Sequence, residues 1–226
     1  LDLLQIFFDP KATFWRLRDR KFGWILPLVA GQLLAIANIT LLLRRFSVVS
    51  IIEHQMEASG KTLPPGSLDQ VVGFAEAMMY VGPLVLGPLM LLLIALVVYG
   101  IARGTGGDVR FGQILNVTSI SSWAWSAVST VLSVIMLWLA PDLQSLNLDN
   151  PVPLNLGFFL DKASVGAAIS ALASSVNLLY FYFLWLLALG AAVVADRVRQ
   201  STVLWILASI YFLLFFARAG FAMIAG

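Results

Sequence analysis

Cysteine is absent from these 226 residues, and histidine occurs once, at His54. The first absence removes disulfides, thiol nucleophiles and thiolate metal sites. The second leaves no means of assembling, within one chain, a histidine metal cluster or a histidine–carboxylate–nucleophile set. Charge is scarce too: Asp, Glu, Lys and Arg make up 12% of the chain, where a soluble domain carries about 25%. The net charge of +2 is too small to point to nucleic acid. What fills the sequence instead is apolar, 60% of all residues.

This apolar content is gathered into five stretches, at about 22–43, 78–101, 118–139, 176–194 and 202–224. A hydrocarbon core about 30 Å thick needs roughly 20 helical residues to cross it. A charge at its centre costs at least ~2.5 kcal/mol, and the stretches are nearly free of charge. The expected fold class is all-α: a polytopic membrane helical bundle with five transmembrane helices, forming a single membrane domain over 1–226. Residues 1–21 are expected to form a cytoplasmic, interfacial amphipathic helix. Asp9 is a good N-cap there, and Pro10 suits the first helical position, where its missing N–H costs nothing. Phe14, Trp15, Arg16, Arg18, Arg20 and Lys21 would make its membrane-surface anchor, with aromatic rings at the interface and cations toward anionic headgroups.

Orientation follows from the basic residues. Lys11, Arg16, Arg18, Arg20 and Lys21 precede the first span; Arg103, Arg110, Arg197 and Arg199 fall on the same side if there are five crossings. Arg44, Arg45, Lys61 and Lys162 fall on the other. The bias predicts a cytoplasmic N-terminus and an outer C-terminus, with Arg44 and Arg45 running against it. Ser67-Leu-Asp-Gln70 matches a capping box and predicts a helix start near Leu68, ahead of the second span. Pro151-Val-Pro153 excludes regular helix from the third connection, and Ser201 reads as a cap for the last span.

Catalytic patterns are missing. His54 lies beside Glu53 and Glu57, which reads as a solvated charged face. The run Arg103-Gly-Thr-Gly-Gly107 lacks the Lys-Ser/Thr ending of a phosphate loop and follows a membrane span. Asn38-Ile-Thr40 and Asn116-Val-Thr118 match the glycosylation triplet but lie within or against spans. Arg218, in the last span, is near enough to the chain end to snorkel. No metal site, catalytic residue or cofactor is expected, and a bound lipid is compatible with the sequence.

The third span is hydroxyl-rich. Ser119, Ser122, Ser126, Ser129 and Ser133 recur at steps of three and four, on one helical face. Small residues on such a stripe let backbones approach closely, so the stripe reads as a helix-packing seam. Ala188, Gly190, Ala191 and Ala195, with Ala167, Ala171 and Ser174, look like complementary surfaces. Pro83 and Pro88 predict a kinked second span.

The chain resembles the Yip family, five-span membrane proteins named for interaction with Ypt/Rab GTPases. Three elements carry the resemblance: Phe8-Asp-Pro10-Lys-Ala-Thr-Phe14-Trp-Arg-Leu17 with Trp24-Ile-Leu-Pro27; Gly106-Gly107-Asp-Val-Arg-Phe111-Gly-Gln113 at the start of the third span; and Ala195-Asp-Arg197-Val-Arg-Gln-Ser201 before the last. The Asp-Leu-Tyr-Gly-Pro-type element of eukaryotic members is absent, which favours a prokaryotic-type member in a bacterial inner membrane. The resemblance implies a non-enzymatic membrane organiser. The expected function is that of a scaffold, adaptor or accessory subunit, partnered by the bilayer and by other integral membrane proteins or copies of itself, with no nucleic acid. The alternative is a transporter or channel component whose pathway is lined by the Ser-rich third span.

Overall fold

Asp9 divides the start of the chain into two helices, α1 (Asp2–Phe8) and α2 (Pro10–Leu17). Its carboxylate accepts the Ala12 N–H at 3.0 Å, and Pro10 occupies the first turn. Residues 18–24 turn into α3 (Ile25–Arg45). There follow α4 (Val48–Ala58), α5 (Leu68–Gly104), α6 (Phe111–Leu139), a short 3-10 turn at Leu156–Phe159, α7 (Leu178–Val194) and α8 (Gln200–Ala225). This computed structural model describes residues 2–58, 68–141, 154–160, 169, 172–173 and 176–225. Most of the Pro-rich third connection, and Ser67, Ala167, Ala171 and Ser174, lie outside them.

Among the described residues, four helices are long and apolar enough to cross a membrane: Ile25–Arg45, Val71–Gly104, Phe111–Leu139 and Gln200–Ala217. The sequence leads one to expect five spans of similar length, and here the structure differs. α7 has 17 residues, about 25 Å of helix, at the lower limit for a crossing. It is also central, with Leu186, Leu187, Ala188 and Ala191 enclosed by its neighbours. α5 errs the other way: its 37 residues reach about 55 Å, well beyond a hydrocarbon core. α4 packs on α5 and buries Ile51 and Ile52. Ser201 lies inside α8, which begins one residue earlier, at Gln200.

α6 is the hub, packed against α3, α5 and α7 as well as α1 and α2. Lipid tails are as apolar as leucine, so close packing rather than removal from water holds such helices together. At Gly190 of α7 an added Cβ would collide with Val117 of α6 and come within 3.0 Å of the Phe14 ring. Only glycine lets these elements approach so closely.

The turn between α5 and α6 is a helix stop. Gly107 N–H bonds the Ala102 carbonyl at 2.9 Å, and Gly106 N–H bonds Arg103 at 3.0 Å, the two bonds of a Schellman motif. Gly106 has φ +87°, which glycine adopts without strain. The next turn meets this one through an isolated bridge between Asp108 and Asp196. The Phe-x-Gln element restarts the chain: Gln113 Oε1 accepts the Arg110 N–H at 2.9 Å, and Phe111 packs edge-on against Tyr99. At the other end of the bundle, the Arg45 guanidinium donates to the carbonyls of Leu137 and Ala140. A cation there satisfies the orphan carbonyls and negative dipole end of α6. Arg45 therefore has a structural reason to stand where the charge bias expects few basic residues.

Candidate functional site

The first half of α6 fastens the N-terminal helices to the bundle. Asn116 Nδ2 donates to the carbonyls of Leu17, at 2.8 Å, and Arg20, at 2.7 Å. Ser119 Oγ donates to Trp24 O at 2.6 Å, and Trp123 Nε1 to Leu3 O at 2.8 Å. Leu17 O also accepts the Arg20 N–H at 3.2 Å, and Trp24 O the Leu28 N–H at 3.2 Å. A carbonyl oxygen has two lone pairs, so the side chains of α6 add a second donor to these backbone groups.

The residues read as a surface anchor divide between the inside and the outside of this unit. Phe14 is fully buried against α6 and α7, whereas Trp15 is 62% exposed. Arg16 and Arg20 both pair with Asp2, at 3.0 and 2.8 Å, and Arg18 pairs with Asp196 at 3.3 Å. Arg18 also stands over the Trp15 ring, and Lys21 over Phe22. The outward face keeps Leu4, Phe8, Trp15 and Phe22 exposed beside Lys11 and Lys21.

A cavity of about 350 Å³ opens among α3, α5, α6 and α7. Ser122 and Ser126 line it, as does Ser119, whose hydroxyl is committed to Trp24. Gln32 and Gly31 from α3, Pro83 and Gly87 from α5, and Trp123 and Trp125 from α6 complete much of the wall. Gln32 Oε1 and Trp125 Nε1 are buried with no hydrogen-bond partner among the described residues. Trp125 is flanked by Tyr180 and Phe183 of α7, with centroids at 5.8 and 6.4 Å. Gly87 makes room for the Gln32 amide, which a side chain at 87 would strike.

The stripe expected along the third span thus has several fates. Ser129 lies further along, its hydroxyl buried and unpaired among the described residues, and Ser133 is half-buried. Pro83 and Pro88 sit inside a helix that continues through both, and Pro83 borders the cavity. Sequence reading passed over Gln32, Trp123 and Trp125. An amide within an otherwise apolar span was the available signal for Gln32, because such groups are costly in lipid unless used. Among the described residues no group of three His, Asp or Glu side chains is placed to hold a metal.

These helices, with an apolar exterior and a polar seam facing inward, define a multi-pass helical membrane protein. The Yip1 domain family model matches residues 4–220, nearly the whole chain, and the protein belongs to the Yip family. No curated protein and no solved structure matches it.

Proposed function

We propose that the protein is a non-enzymatic scaffold, adaptor or accessory subunit of a membrane complex, working through helix and lipid contacts. One observation carries this reading. The N-terminal helices and the turn that follows them are hydrogen-bonded to three side chains of α6, while Phe8, Trp15 and Phe22 stay exposed beside lysines. A docking surface held rigid before binding loses less entropy when it binds. α7 serves as the fifth crossing, which puts the termini on opposite sides, and the bias of basic residues sets the N-terminus in the cytoplasm and the C-terminus outside, in a bacterial inner membrane. Purification in mild detergent followed by intact-mass measurement is expected to yield a stoichiometric membrane-protein complex. Phe8→Ser with Trp15→Ser should release the partner and leave the chain folded. A lone chain carrying only lipid would overturn the proposal.

The transport alternative draws on a different observation, that Ser122 and Ser126 line a cavity. A water-filled route requires Ser126→Cys to react with a membrane-impermeant thiol reagent in this cysteine-free chain, and an absence of labelling removes it.

A further inference from the structure

The cavity among α3, α5, α6 and α7 has a chemistry of its own. Among the described residues that line it, none carries a charge. Two of them carry hydrogen-bonding atoms that are enclosed and without partners among the described residues, an acceptor at Gln32 Oε1 and a donor at Trp125 Nε1, which an occupant reaches by a turn of either side chain toward the cavity. The hydroxyls of Ser122 and Ser126 stand on the same wall. Leaving a buried donor or acceptor unmade costs about 1–3 kcal/mol. Such a site therefore favours an occupant that offers both a hydroxyl and a carbonyl.

Its mouth also has a direction. The most exposed lining residues are Met90, at 53%, and Tyr180, at 39%. Met90 lies midway along the apolar part of α5, so the cavity opens on the flank of the bundle, at the level of hydrocarbon. A ligand enters from the bilayer. The volume is near the small end of the range for ligand sites, about 300–1,000 Å³. It suits the polar part of a lipid, with the acyl chains left outside among their neighbours.

We propose that this cavity binds an uncharged glycerolipid with a free hydroxyl, of the diacylglycerol type. The hydroxyl donates to Gln32 Oε1, and an ester carbonyl accepts from Trp125 Nε1. A phospholipid would bring a phosphate into a cavity with no counter-charge, at high cost. Gly87, by giving the Gln32 amide its place, is a positioning residue for the site.

The test uses the full chain in nanodiscs of phosphatidylethanolamine and phosphatidylglycerol doped with 1,2-dioleoylglycerol. Co-purified lipid is read by mass spectrometry of extracts and of the intact complex. About one dioleoylglycerol per chain is expected, well above its share of the bilayer. Gln32→Leu, which removes one buried hydrogen bond, should lower retention about tenfold. Ala35→Leu, which fills the cavity, should lower it at least as far. Val131→Leu, on the exposed face of α6, should leave it unchanged. Dioleoylglycerol should raise the unfolding temperature of the parent chain and not of Gln32→Leu, which keeps the test valid if Ala35→Leu does not fold. The proposal is overturned by retention no higher than the bulk share, by equal retention in Gln32→Leu, or by phospholipid taking the site. Labelling of Ser126→Cys by an impermeant reagent would likewise overturn it, because the cavity would then hold water. None of these readouts depends on a protein partner, so the site stands or falls apart from the scaffold reading.

Discussion

Asn116 joins two parts of the chain that no local sequence rule connects. Its amide donates to the carbonyls that end α2 and the turn beyond it. Replacement by leucine removes both donors, leaving Leu17 O with the Arg20 N–H alone and Arg20 O without the amide, while filling a similar volume. Asn116→Leu should lower stability by about 1–2 kcal/mol, read as reversible unfolding in detergent. An unchanged midpoint would mean that the N-terminal helices are held by packing alone. In the sequence Asn116 is visible only as the first residue of a glycosylation triplet. Its targets are backbone groups, which carry no residue signature, so its role could not be read before the fold. Phe14 behaves similarly: an aromatic residue beside arginines reads as an interfacial ring, and the proximity of Gly190 draws it inside.

At the scale of helices, periodicity was informative about faces and silent about neighbours. The three- and four-residue spacing places the α6 serines on one side. What that side meets is a matter of packing: Trp24 O for Ser119, and the cavity for Ser122 and Ser126. The close contact between α6 and α7 is made elsewhere, by Val117 against Gly190. Gly190→Ala should therefore cost about 1–3 kcal/mol through overpacking. Val117→Ala in the same chain should restore part of it, a coupling that separate sites do not show. Strictly additive losses, measured by the same unfolding assay, would place the contact wrongly. The Gly-rich run after α5 illustrates the opposite case. Its Schellman bonds and positive φ explain its glycines as a helix stop.

For the molecule in its membrane, the distribution of arginine and lysine remains the guide to orientation, with Arg45 accounted for by its contact with the end of α6. Lys11 and Ser47 are both exposed, and they lie near opposite ends of α3. In intact cells, Ser47→Cys should react with an impermeant thiol reagent, and Lys11→Cys only after permeabilisation. The reverse pattern would invert the topology. Exposed ion pairs such as Arg110 with Asp19 contribute little, about 0–1 kcal/mol, so the rim charges serve placement more than stability.

Composition and hydropathy alone establish a helical, multi-pass membrane protein, because a bilayer leaves an apolar chain few other ways to satisfy its backbone. The order of its short motifs alone points to the Yip family, which the match over residues 4–220 shows. Packing decides the rest. It encloses Phe14, sends the donors of α6 to distant carbonyls, makes α7 central, and hollows a cavity beside Gln32. These outcomes depend on which helices become neighbours, and hydropathy, being a property of each helix by itself, carries no record of that choice.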